Sequence, residues 1–438
     1  MKIDQSQFSA RRRALLQQML PDSVAIIPSA QMKQRNQDVE YPFRQDSSFF
    51  YLTGFNEPDA VLLLIPGREE GESILFCRDR DKLMEIWNGY RAGPEGAIRD
   101  FAMDEAHSID EIDAVLPGLL DGMARIYYSI GRDDQLDQQV REWLNLIRDK
   151  VRQGAVAPSE LVMLDHLLNE MRLIKSEPEQ ALMRRAGEIS AEGHIKAMQL
   201  CRPGVMEYQL EAEILHHFAM NGARFPAYSS IVGGGANACV LHYIENSDVL
   251  LDGDLVLIDA GCELEHYAGD ITRTFPVNGR YSDEQRAVYQ LVLDVQKACI
   301  EMIRPGVLWD AIHQKSIELI SAGLIELGLL GGSVEEVIES GTYRNFYMHR
   351  IGHWLGMDVH DVGDYKVDQE WRPLQPGMVM TVEPGIYIAA DNEEVEPRWR
   401  GIGIRIEDDV LITAEGCEIL TAKVPKEIEE IEALMASA

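Results

Sequence analysis

Residues 255–275 read LVLIDAGCELEHYAGDITRTF. Two short apolar runs flank a turn-rich connection, and each run carries an acid. LVLID ends on Asp259 and DITRTF opens on Asp270, eleven positions further on. Paired as antiparallel strands, the runs bring both carboxylates to one end of a sheet. Acids at strand ends also serve as plain turn residues, so the pair needs support from the rest of the chain.

That support lies downstream. His353 stands in HRIGHWLGMDVHDVG, Glu383 in MTVEPGIYI and Glu407 in GIGIRIEDD. Glu383 interrupts an apolar strand, a place where a charge is rarely buried unless paired or coordinated. Around Glu407 the alternation sets Ile402, Ile404 and Ile406 on one face and Gly403, Arg405 and Glu407 on the other. Arg405 is thereby expected to orient Glu407, and Gly403 leaves room for close approach by another segment. Four carboxylates balance two divalent cations, whereas without cations they would raise one another's pKa. A hydroxide held between two such metals is a strong nucleophile at neutral pH. Asp259, Asp270, His353, Glu383 and Glu407 together point to a metal-dependent hydrolase. Oxygen-rich ligation with one nitrogen and no thiolate suits Mn²⁺ first, with Co²⁺, Fe²⁺ or Zn²⁺ as alternatives.

His349 and His353 share a helical spacing, but Gly352 and Gly356 weaken a helix there. Arg350 also occupies the position where an HExxH zinc site needs its glutamate. Singly, each histidine reads as structural. Clustered, His349, His353 and His360, with His242 in VLHYIEN, read as functional.

From Ile231 onward, strands with Gly-rich corners alternate with helical stretches from Ser282 and from Trp309, an α+β pattern with a curved antiparallel sheet. Short acidic patches, DNEEVE and KEIEEIE, read as solvated surface. The N-terminal part interleaves strands (SVAIIPSA, AVLLLIPG, SILFCRD) with amphipathic helices (ARRRALLQQML, LDQQVREWLNLIRDKV), an α/β pattern. The boundary falls near IKSEPEQALMRRAGEIS, where Ser176 and Glu179 have capping-box spacing. Residues 1–173 and 174–438 are the expected domains. Trp87, in LMEIWNGYR, is the N-terminal aromatic that stands out.

With 438 residues there is room for more than one core. A net charge of −32 argues against nucleic-acid and anionic-membrane partners. The N-terminus has no apolar signal segment, and six scattered cysteines read as reduced thiols, so a cytoplasmic protein is expected.

These motifs, in this order, resemble the pita-bread metallopeptidases, the group of methionine aminopeptidase, prolidase and aminopeptidase P. YPFRQDSSFFYLTGFNEPDAVLLL resembles the N-terminal domain of the bacterial aminopeptidase P branch. VLHYIEN, LIDAGCELEHYAGDITRTFPVNG, DVHDVG, TVEPGIYI and RGIGIRIEDD resemble its catalytic domain. The resemblance implies a pita-bread catalytic domain, similar to creatinase and methionine aminopeptidase, behind a smaller α/β creatinase-like domain that serves substrate access and oligomerisation. It implies an aminopeptidase that releases the first residue of peptides with proline second, by attack of a hydroxide bridging two metal ions.

By the same resemblance Asp259 binds one ion and His353 the other, Asp270 and Glu407 contact both, and Glu383 also moves the proton. His242 and His360 hold the carbonyl oxygen. His349 lines the proline side, with Tyr387, Arg405 and Trp87 near the ring's wall. Relatives are commonly dimers or tetramers, so Trp87 is expected to act from a neighbouring subunit. HRIGH departs from the HG-x-SH that bacterial relatives often carry, which bears on fine substrate preference. Prolidase, which splits Xaa-Pro dipeptides, and a non-catalytic peptide-binding protein are the rival readings. Methionine aminopeptidase leaves about 170 N-terminal residues unexplained.

Overall fold

The computed structural model describes residues 3–437. They form two compact units, one ending at Met171 and one starting at Arg172.

The N-terminal unit is built on a six-stranded sheet. Its spatial order is Glu105–Ser108, Ser73–Cys77, Val61–Leu64, Ser23–Pro28, Arg125–Tyr127, Glu160–Val162. The Ser23–Pro28 strand pairs antiparallel to Val61–Leu64 and parallel to Arg125–Tyr127, so the sheet is mixed. Val24, Ile26, Leu63, Phe76, Leu116 and Trp143 share its core. Helix Gln5–Gln18 is less amphipathic than ARRRALLQQML suggests, because Arg11 and Arg12 are buried. Their guanidinium groups donate to the carbonyls of Tyr51 and Leu52. These carbonyls lie in the last turn of helix Ser47–Thr53, where a helix end needs outside donors.

In the C-terminal unit, helix Glu177–Leu200 starts where the Ser176 N–H donates to the Glu179 carboxylate at 2.8 Å. Helices Glu207–Met220, Asp283–Glu301 and Trp309–Glu326 follow. Strand Leu255–Asp259 pairs antiparallel with Ile231–Gly234 on one side and Thr272–Pro276 on the other. Asp259 stands opposite Thr272. By parity Asp270 shares that face, with Gly261 opposite it. A Cβ at Gly261 would sit 1.7 Å from the Gly269 carbonyl, so only glycine lets the two backbones meet.

A second pair of ladders supplies the other acids. Val379–Val382 pairs with Asp408–Ile412, and Gly385–Ile388 pairs with Ile402–Arg405. Both keep the same register, Val382 opposite Asp408 and Gly385 opposite Arg405. The interruption between them holds Glu383 and Glu407, which that register sets face to face.

KEIEEIE is not solvated surface. Ile428–Ala436 is a helix that buries Ile428 and Ile431 at a spacing of three. Its Glu432 is tied to Arg280 and Arg286. All six cysteines are free thiols. Among the described residues no helix is long and apolar enough to cross a membrane.

Candidate active site

The Asp259–Thr272 end of one sheet faces the Glu383–Glu407 break of the other. Thr272 bridges them, its hydroxyl donating to Glu407 at 2.7 Å. The Glu407 N–H donates to the Thr272 carbonyl at 3.0 Å. Two acids directly opposed on one face repel. Burial pushes the Glu407 carboxyl well above the usual range and its acidic neighbours add to that. Burial likewise raises Asp270, and raises Glu383 to about 7.

His353 completes the group. Its Nδ1 lies 3.0 Å from the Trp354 carbonyl and so carries the hydrogen. That leaves Nε2 turned to the acids, 3.4 Å from Asp270 and 3.6 Å from Glu383. One donor atom each from Asp270, His353 and Glu407 fall within 4.8 Å of one another. Fixing a histidine through its second nitrogen is how proteins present a ring to a metal.

A cavity of about 980 Å³ opens onto this cluster. Asp259, Asp270, His353, Glu383, Glu407, His242, His349, His360 and Arg405 all line it. His353 and His360 meet edge to face at 4.4 Å. His349 is held at both ring nitrogens, by the Arg350 carbonyl at 2.8 Å and the Tyr387 hydroxyl at 2.9 Å. Burial and the nearby Arg405 lower it to about 4, so it stays neutral.

Two expectations shift in detail, and Trp87, expected to act from a neighbouring subunit, lies outside this chain's own cavity. Arg405 does not bond Glu407 directly: its guanidinium reaches Asp259 at 2.6 Å, Tyr387 at 3.0 Å and Thr272 at 3.0 Å, and the Thr272 hydroxyl in turn holds Glu407. Tyr387 does not line the cavity; its ring packs with Ile231, Ala238 and Leu257, and its hydroxyl positions His349. Trp87 is not among the lining residues and sits 83% exposed on helix Lys82–Asn88 of the N-terminal unit. Gly403 does meet another segment, since a Cβ there would lie 2.3 Å from the Ala238 carbonyl.

No pattern of residues marks Tyr228, whose hydroxyl lies 2.5 Å from Asp259 and 2.6 Å from Asp270. One phenol hydrogen cannot satisfy both carboxylates, and Asp259 has Arg405 as a second, buried partner at 2.6 Å.

Residues 181–414 match the metallopeptidase family M24, and residues 8–127 match the N-terminal domain of aminopeptidase P. The chain belongs to metallopeptidase family M24. It is 50% identical to an Xaa-Pro aminopeptidase of Haemophilus influenzae, over 99% of this chain and 98% of that one. It is 49% identical to an Xaa-Pro aminopeptidase of Escherichia coli, over 100% and 99%. Among solved structures, aminopeptidase PepP of Pseudomonas aeruginosa superposes with a TM-score of 0.99 at 57% identity, covering 100% of this chain and 99% of that one. Zinc-substituted E. coli aminopeptidase P in complex with product gives 0.97 at 48% identity, with coverage of 100% and 99%.

As an M24 metallopeptidase the chain uses divalent metal ions, and the donor set fits them. Clustered buried acids that repel one another are stabilised by added cations, and a tautomer-fixed imidazole offers a lone pair. A pH signature follows. Glu383, Asp270 and Glu407 have folded pKa values above their unfolded ones, so the stripped protein has their full stability only below about pH 4. It loses that stability as pH climbs, through about 7 for Glu383. His353 acts in the same direction: burial opposes its charge, but Asp270 and Glu383 outweigh this and lift it to about 9. Metal offsets the repulsion and displaces the protons. The stability gap between metal-loaded and stripped protein is therefore expected to widen from about pH 5 to about pH 8. Calorimetric unfolding of both forms measures it, and a gap independent of pH contradicts this account.

Proposed function

We propose that this chain is an Xaa-Pro aminopeptidase, a hydrolase that frees the first residue of peptides whose second residue is proline. The observation that carries the reading is the convergence of Asp259, Asp270, His353, Glu383 and Glu407 on one cavity, in a chain similar along its whole length to Xaa-Pro aminopeptidases. These five residues hold two divalent ions, with Mn²⁺ the first choice for so oxygen-rich a set. Asp259 and His353 would each contribute a ligand, and Asp270 and Glu407, whose donor atoms lie near that of His353, would contribute the others. When bound, such ions polarise a carbonyl and make water acidic enough to attack near neutral pH.

The chain's own groups do the rest. The Glu383 carboxylate takes the proton from the attacking water and passes it to the leaving nitrogen. His242 and His360, lining the cavity, hold the carbonyl oxygen as charge develops on it. His349, locked neutral by Tyr387, lines the proline side. Arg405 fixes Asp259 and Tyr387 from behind. The Xaa-Pro nitrogen has no hydrogen, so peptidases that grip an amide N–H there lose that contact. This cavity need not make it.

The N-terminal domain serves substrate access and association into a homodimer or homotetramer. Helix Lys82–Asn88 buries none of its residues, and Leu83, Ile86 and Trp87 are 73%, 77% and 83% exposed. An apolar surface of this kind calls for cover, and a second copy that covers it brings Trp87 to a neighbour's substrate. Free thiols throughout agree with a cytoplasmic setting.

The test strips the protein with chelator, restores Mn²⁺ and compares an Xaa-Pro-Yaa tripeptide with the matching Xaa-Pro dipeptide and a Met-Ala peptide. Metal-dependent release of the first residue, fastest from the tripeptide, is expected. Preference for the dipeptide makes it a prolidase. No cleavage with metal bound makes it a binding protein.

A further inference from the structure

The cavity extends beyond the acids. Trp309 and Trp371 also line it, stacked at 5.9 Å with their planes 22° apart. Two cations sit over the Trp371 ring, the Arg350 guanidinium 5.6 Å and the Lys366 ammonium 4.5 Å from its centre. Asp310 lies 3.2 Å from Arg350.

Arg350 itself lines the cavity, and its side chain is 55% exposed, so solvent reaches it and Asp310 does not enclose it. The guanidinium gives one N–H to Asp310, and its planar fork has further N–H groups to offer a carboxylate. Its position along the cavity is set by chain geometry. Arg350 follows His349, whose ring lies 3.9 Å from Glu383. One residue advances the backbone by about 3.8 Å, and an extended peptide covers about 3.3–3.6 Å per residue. The arginine stem adds its own reach, so the guanidinium lies within about three extended residues of the Glu383 side of the cavity.

We propose that Arg350 and Lys366, set on Trp371, form a subsite for a substrate carboxylate two or three residues beyond the cleaved bond. The inference rests on the aminopeptidase reading and names the substrates that reading prefers. The carboxylate has two sources: the free C-terminus of a tripeptide or tetrapeptide, or an Asp or Glu side chain after the proline. Both present the same anion to the same cations.

The full-length Mn²⁺-loaded protein decides it. The first peptide pair is Ala-Pro-Ala as the free acid and as the C-terminal amide. The second pair, both amidated, is Ala-Pro-Asp and Ala-Pro-Asn. The readout is the ratio of kcat/KM within each pair, which cancels any general change in activity. In at least one pair the carboxylate is expected to be favoured about tenfold, less at high salt because the site is half exposed. The favoured pair identifies the source. Arg350→Gln is expected to bring that ratio below about twofold, with Lys366→Gln between the two. Equal rates within both pairs overturn the subsite, as does a ratio unchanged in both variants. Cleavage of no peptide by the unaltered protein overturns the aminopeptidase reading itself, and the subsite falls with it.

Discussion

Glu383→Gln is expected to lower kcat by about 10²- to 10⁴-fold while leaving the fold and most of the metal affinity in place. The position explains why the effect is chemical. Glu383 stands in the interruption between two ladders, its N–H donating to the Ile351 carbonyl at 2.7 Å. Substitution leaves that backbone anchor alone, and glutamine fills the same volume. What disappears is a group able to exchange a proton near neutral pH: burial lifts this carboxyl to about 7 even with Arg405 and His353 drawing it down. An acid so placed can both take and return a proton. The stripped protein gains by the change, since one of the opposed charges is gone, so its unfolding midpoint is expected to hold or rise. Steady-state kinetics on an Xaa-Pro-Yaa peptide, metal content and thermal unfolding separate the outcomes. Near-normal kcat removes Glu383 from proton transfer, and loss of metal with loss of fold makes its role structural.

The residues around this site differ in how readable they were, and the difference is physical. Alternation in GIGIRIE puts Arg405 and Glu407 on one face, and the structure keeps them there. Alternation says nothing about which strand lies alongside. The neighbour is Thr272–Pro276, so Arg405 bonds Asp259 directly and meets Glu407 only through the Thr272 hydroxyl. The Asp259 and Asp270 pair was legible because a short connection joins their strands. Glu383 and Glu407 face each other across a register that only the two ladders, seen together, reveal. Tyr228 lies 31 and 42 positions from its two partners, in an irregular segment before Ile231–Gly234, so no periodicity marks it. Local signals fared well where the physics is local: Ser176 with Glu179 starts a helix as its spacing predicts. KEIEEIE misled because its acids outnumber the two isoleucines that hold the helix down.

The same adjacency of strands leads to the largest expected loss of stability, from Arg273→Met. Thr272 and Arg273 point to opposite sides of one strand, the first into the site and the second into a closed polar core. Arg273 donates to the Thr272 carbonyl at 2.9 Å, to the Glu407 carbonyl at 2.6 Å and to the Asp408 carboxylate at 2.7 Å. Both side chains of the Arg273–Asp408 pair are fully shielded from solvent. Burial alone would push Asp408 up, but Arg273 and Lys426 outweigh it and hold the carboxyl well below its usual range. Methionine fills the space but leaves a buried charge short of its main partner, at a cost of about 3–5 kcal/mol. The second substitution Asp408→Asn, made in the Arg273→Met background, removes that stranded charge and is expected to restore a large part of the loss. Since Asp408 has a depressed folded pKa, its contribution exists above its unfolded value and fades as pH falls below it. The gap between wild type and Arg273→Met should therefore narrow below about pH 4. Denaturant unfolding of the three proteins at neutral and acid pH reads all of this, and a single-substitution cost under about 1 kcal/mol contradicts it. Function should follow stability, because the carbonyl that Arg273 holds belongs to Glu407. A loosened Glu407 backbone weakens its grip on metal even in the fraction that remains folded. Excess Mn²⁺ is then expected to restore part of the activity of Arg273→Met and none of that of Glu383→Gln.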